Sequence, residues 1–273
     1  GEPLERCLLR ALLDEHWPAS LCANLRRLHW AAAQVRGRLS GENWLALLEL
    51  QRDMQALDPA RTDLGEALDF LNRLVMSLAA LSGFALDDMT RDDGWRFLMI
   101  GRRIERVRFF AESIAAFLDG GSAWDAGALE WLLELGNSGI TYRSRYLASP
   151  QLVPVLDLLL LHEQNPHSLR FQLQALERSL ERLHEEFGAP RERELRTLGE
   201  RLRSFDLAAL ESPLFGAAGL DEVLVGLARL LRDIAACAGQ VSDRLGLRYF
   251  AHVDDVSQRT VSTRCPHPRV APV

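Results

Sequence analysis

After Pro166 the apolar positions Leu169, Leu173, Leu176, Leu180 and Leu183 recur at three- and four-residue spacing, the period of one helix face. The opposite face carries Glu177, Arg178, Glu181, Arg182 and Glu185, a pattern that predicts a solvated, ion-paired surface. A second helix, from about Gly94 to Leu118, is predicted by the stripe Phe97, Ile100, Ile104, Val107, Ala111, Ile114 and Leu118. Thr90 with Asp93 resembles a capping box that opens it, and Gly120-Gly121-Ser122 closes it. Pro18 and Pro166 sit where a first-turn proline is tolerated, with Asn165 as the expected N-cap before Pro166. Asp58-Pro59, Gly188-Ala189-Pro190 and Ser212-Pro213 mark further breaks. No alternating run is long enough for a buried strand, so the fold class expected is all-α, a multi-helix bundle. Periodicity is lost after about His252, and residues 251–273 read as an irregular tail.

The pattern also repeats. Leu4 to Leu21 and Leu152 to Leu169 each run as an apolar helix followed by E-x-x-P-x-S-L, and Leu25 and Leu28 match Leu173 and Leu176. Further on, Leu71-Asn72-Arg73-Leu74 recurs as Leu227-Ala228-Arg229-Leu230, and Ser82-Gly83 as Ala238-Gly239. Two diverged copies are therefore expected, the first over about residues 1–90 and the second over about 91–250. Superposition should place Pro18 on Pro166 and Leu25 on Leu173. The segment Gly94 to Pro150 has no counterpart before the first copy, which is expected to lack an N-terminal piece. The second copy should then show an exposed apolar groove or fill it by self-association, perhaps as a homo-oligomer.

Composition narrows the function classes. Leu, Ala, Arg and Glu dominate, and 32 basic against 38 acidic residues give a formal net charge of -6. Nucleic acid is a poor partner for a chain with neither a basic excess nor a basic run. Cys7, Cys22, Cys237 and Cys265 show no CxxC spacing, and only Cys265 with His267 approaches a metal-ligand pair, so free thiols and no metal are expected. The apolar run Leu158 to Leu161 is far short of a membrane span, and no signal peptide is expected ahead of the first helix. The expectation is a cytoplasmic protein without a membrane partner.

Three groups of residues could carry chemistry. The helix from Gly94 has a second stripe of Gly101, Arg102, Glu105, Phe109 and Glu112. Its mid-helix glycine costs about 1 kcal/mol against alanine, which close helix approach or ligand access would repay. Arg102 and Glu105 form either a solvent-exposed i, i+3 pair or part of a buried polar cluster. Tyr142-Arg143-Ser144-Arg145-Tyr146 places arginines between aromatics, as carboxylate or phosphate recognition requires, or ties Arg143 to a glutamate such as Glu105. Glu15 and Glu163 each precede a helix whose positive dipole end they could complement, with a site role as the alternative. His162 to His167 is one residue too long for H-E-x-x-H, and no P-loop, G-x-S-x-G or dinucleotide fingerprint occurs.

Trp95 to Arg106, Tyr142 to Tyr146, and Leu156 to Leu160 with Asn165-Pro166-His167-Ser168-Leu169 together resemble the bacterial alpha-E family, over about residues 4–250. Its usual W-L-G-R-Y-x-E-R-type opening helix is similar to Trp95–Arg106, with Arg103 where the family often has an aromatic. The resemblance implies association with circularly permuted ATP-grasp proteins and with transglutaminase-like proteins. ATP-grasp enzymes typically join a carboxylate to an amine through an acyl-phosphate. A helical accessory or substrate-binding module without a cofactor is the leading expectation, its ligand a peptide or amino acid. The site residues expected for binding are Arg102, Tyr142, Arg143, Arg145 and Tyr146. One alternative is an enzyme using Glu105, Glu112 and Glu163 as acid and base on an amide, in which case those side chains should converge. The other is a structural oligomerisation module.

Overall fold

In the computed structural model, residues 3–121, 125–146, 149–211 and 217–250 are described, and the chain divides into two compact units, Gly1–Trp95 and Arg96–Val273. Every regular element among the described residues is helical.

The first unit holds α1 (Leu4–Leu13), α2 (Leu21–Gln34), α3 (Gly41–Gln55) and α4 (Leu64–Asp87). Each of the last three starts where a side-chain oxygen relieves an orphan N–H. Ser20 accepts from Ala23, Ser40 from Asn43, and Asp63 with Glu66 completes a reciprocal capping box. Leu12, Leu13, Leu25, Leu50, Met54, Phe70 and Leu74 make its core. The carboxylate of Asp92 accepts from the Trp95 backbone and pairs with Arg38 at 2.5 Å. The cap before the next helix is thus Asp92, two residues after the Thr90 on which the expected box opens. Helix α4 also amends the membrane expectation. Its 24 residues, with a mean hydropathy of 1.3 over the most apolar stretch, are long and apolar enough to cross a membrane by length and composition.

The second unit is built around α5 (Asp93–Asp119), whose expected stripe is half-buried at Phe97 and buried from Ile100 on, Ile104, Val107, Ala111 and Ile114 almost completely. Helices α6 (Ala126–Leu135), α7 (Gly139–Tyr146) and α8 (Leu152–Leu156) follow. Helix α8 continues as a π turn over Asp157–Leu161, then come α9 (Leu169–Phe187), α10 (Arg193–Arg203) and α11 (Ala217–Tyr249). α5 and α11 run antiparallel: Phe97 meets Tyr249 at 5.0 Å between ring centroids, and Asp119 at the other end pairs with Arg232. Gly188, at φ 62°, ends α9 in the left-handed region, as the Gly-Ala-Pro break anticipates.

Two expectations change here. Asn165 is not an N-cap: α9 starts at Leu169, with Ser168 accepting from Phe171, and Asn165 is buried for another purpose described below. The apolar groove is not confined to the second unit: besides a cleft of about 330 Å³ there, lined by Leu180, Leu183, Leu245 and Leu247 among others, one of about 400 Å³ lies between α1 and α4 of the first. Ser122, Ser212-Pro213 and the tail with Cys265 and His267 lie outside the described residues.

Candidate functional site

The E-x-x-P-x-S-L segments build the same turn in each unit. Ser20 N–H donates to the Trp17 carbonyl and Ser168 N–H to that of Asn165, both at 2.9 Å. One turn further, Asn24 in the first unit and Gln172 in the second turn their side-chain amides back onto the turn's carbonyls. Glu15 pairs with Arg26, which holds its carboxyl below the usual range, and Glu163 pairs with Arg170.

In the second unit this turn is fixed from beneath by Asn165. Its amide donates to Ser138 Oγ at 3.0 Å and the Leu158 carbonyl at 3.1 Å, and its oxygen accepts from His167 N–H at 3.1 Å. His167 is thereby set beside Asn137, whose amide lies 3.4 Å from the imidazole Nε2. Asn137 closes the α6–α7 turn in the left-handed region (φ 45°), which asparagine tolerates better than most residues. The preceding Gly136 leaves room for the core, because a Cβ there would stand 2.7 Å from Leu159 and 3.1 Å from Phe110.

These residues border a cleft of about 170 Å³ lined by Arg106, Phe109, Phe110, Leu135, Gly136, His167, Leu169 and Gln172. Its floor is apolar and its rim cationic. Arg103, one helical turn before Arg106, donates to the side-chain Oε1 of Gln172 at 3.5 Å, and its buried Nε has no hydrogen-bond partner. Burial, then Arg178, Arg106 and Arg102, push the Arg103 guanidinium below its ordinary pKa, and burial with Arg106 does the same to Arg102. A guanidinium does not give up its proton at accessible pH, so these directions reflect burial and the crowding of like charges. Arg103, Arg106 and Arg178 have no acidic partner among the described residues. His167 is pushed down by burial first and by Arg106 second, which keeps the imidazole neutral near pH 7. The arrangement suits an anion with planar oxygens, taken by guanidinium N–H groups and a neutral imidazole.

Other expected site residues lie elsewhere. Glu105 and Glu112 are 70% and 58% exposed on either side of Arg108, and Glu163 is 60% exposed against Arg170. None lines the cleft, so the convergence that acid–base chemistry needs is not seen. Tyr142 is a core residue, packed on Tyr146 at 4.8 Å, its hydroxyl accepting from Gln151 N–H and donating to the Ser149 carbonyl. Tyr146 reaches Asp157 at 3.4 Å, and burial followed by that carboxylate raises its pKa. The partner of Arg143 is Glu130 at 2.8 Å instead of Glu105, and Arg145 bonds His162. Close helix approach does not explain Gly101, since a Cβ there would meet nothing within 4 Å. Sequence reasoning passed over Gln172 and Asn137, took Arg178 for a solvated, ion-paired face, and gave His167 no site role. The signal for the cluster was present in Arg102, Arg103 and Arg106, like charges one turn apart on one helix.

An all-helical module with a cationic cleft beside an E-R pair, Glu105-Arg106, is what these features define. The chain belongs to the Alpha-E family, described as a predicted alpha-helical domain with a conserved ER motif, which matches residues 1–250. It is 31% identical over 232 residues to the uncharacterized protein Rv2567 of Mycobacterium tuberculosis, a match covering 82% of this chain and 26% of that protein. The uncharacterized protein Mb2597 of Mycobacterium bovis matches to the same extent. The chain thus spans about a quarter of the length of these curated relatives. No solved structure matches it.

Proposed function

We propose that this chain is a helical substrate-binding or accessory module of an ATP-grasp peptide-ligase-like system, and that the Arg103–Arg106 cleft holds a carboxylate of its amino-acid or peptide ligand. The observation behind the binding assignment is the guanidinium group without acidic partners beside the neutral His167. At about 170 Å³ the cleft is smaller than the roughly 300–1,000 Å³ of pockets that enclose a whole ligand, which suits the end of a chain. The ATP-grasp assignment rests on the association that the sequence resemblance implies, and the chemistry of the cleft is compatible with it. A ligase that activates a carboxylate needs that carboxylate presented in one orientation, and paired guanidinium donors supply it. A cytoplasmic location, where ATP is available, and a transglutaminase-like partner in the same system belong to this reading.

Titration of the protein with a dipeptide, and with the same dipeptide amidated at its C-terminus, tests the binding assignment. Saturable binding of the free acid, lost with the amide and with Arg106→Gln, is the expected result. Equal binding of acid and amide would remove the carboxylate role. Co-purification from the native host tests the partner, and failure to recover an ATP-grasp protein would remove that half.

A further inference from the structure

Helix α4 of the first unit matches α11 of the second through Leu71-Asn72-Arg73-Leu74 and Leu227-Ala228-Arg229-Leu230, and α1 matches α8 with its π turn. Leu74 and Leu230 are buried alike, but several other matched apolar side chains differ sharply in burial. Leu68 is 58% exposed where Leu224 is 7%, Val75 is 64% where Leu231 is 0%, and Leu4 is 74% where Leu152 is 3%. In the second unit α5 lies along α11. A Cβ on Gly239 would meet the Arg108 side chain of α5 at 3.4 Å, whereas one on the matching Gly83 would meet nothing within 4 Å. Among the described residues, the first unit therefore keeps the apolar stripe and the glycine of a helix seat, with no helix of that unit in it.

We propose that this α1–α4 face is a docking site for one amphipathic α-helix of a partner polypeptide, seated as α5 is seated against α11. Asn72 lies exposed within the stripe, and a carboxamide there suits a protein helix, which can hydrogen-bond to it, better than lipid tails, which cannot. The occupant needs apolar residues at three- and four-residue spacing like those of Ile100, Ile104, Val107 and Ala111.

The test uses the whole chain and a synthetic 27-residue peptide with the α5 sequence, Asp93–Asp119. One-to-one binding, with hydrogen-exchange protection of α4 amides, is expected. Leu68→Glu and Val75→Glu should each weaken it about ten-fold or more. Both positions are exposed, so each variant should melt like the parent, which keeps the readout independent of folding. Absence of binding, or binding unchanged in both variants, would overturn the proposal. So would concentration-dependent dimerisation abolished by Val75→Glu, which would make a second copy the occupant. Sedimentation with phosphatidylcholine vesicles, lost in the same variant, would make it a membrane.

Discussion

The two E-x-x-P-x-S-L turns share their backbone hydrogen bonds, their serine caps and a glutamate–arginine pair, but they differ in surroundings, and the second borders a cationic cleft. Ala19 stands in the first turn where the second has His167, and Asn24 where the second has Gln172. More decisive is the neighbour. The second turn lies against α5, whose Arg103 and Arg106 meet it, and no helix of the first unit plays that part. The turn is thus a structural device, and the site arises where α5 brings arginines to it. The same difference governs the core, because α5 buries in the second unit the stripe that stays open in the first. We propose that both contrasts descend from one duplicated unit.

The contrast in burial has the largest expected consequence. Leu156→Ala should cost about 2–5 kcal/mol, as deletion from a closed core does, while the matched Leu8→Ala should stay within about 0.5 kcal/mol. Chemical denaturation of both variants measures this, and equal losses would break the comparison. Next are the caps. Ser20→Ala should cost about 1 kcal/mol, and Ser168→Ala more, because Ser168 Oγ also donates to the His162 carbonyl at 2.6 Å. Gly101→Ala should raise stability by about 0.5–1 kcal/mol, since the new methyl has space and the unfolded chain loses freedom. A fall in melting temperature would show that the glycine is needed for some contact.

The smallest effect is in pH. His167 titrates below its ordinary value of about 6.5 in the folded protein, so above that pH both folded and unfolded states are neutral and it contributes nothing. As pH falls from about 6.5 towards the folded value, the unfolded state takes up the proton first and stability declines; below the folded value the loss is constant. His167→Gln should remove this slope. A variant with the parent's pH profile would show that the imidazole is not held neutral.

Helix type and the buried stripe of α5 were legible because leucine periodicity and proline or glycine breaks act locally. The Gly188 terminus was equally plain. Cap positions were not, since Asn165, Ser168, Thr90, Asp92 and Asp93 are all competent oxygens and tertiary packing chose among them. The site was half legible. Arg102 was read as a candidate from its helix face, but His167 entered only through the H-E-x-x-H comparison and the family motif, because its proximity to Arg106 spans about sixty residues of chain. Tyr142 and Tyr146 illustrate the converse: aromatics flanking arginines suggested recognition, and packing made one of them core.

The central claim is that Arg103 and Arg106, brought by α5 to the His167 turn, form a carboxylate site. The most direct measurement follows the His167 imidazole by NMR through a pH titration, with and without a dipeptide bearing a free C-terminus. Bound carboxylate should offset the Arg106 charge and raise the His167 pKa towards or past its ordinary value. Arg106→Gln should raise it without ligand and abolish the ligand's effect. A His167 titration curve unmoved by saturating dipeptide would contradict the account.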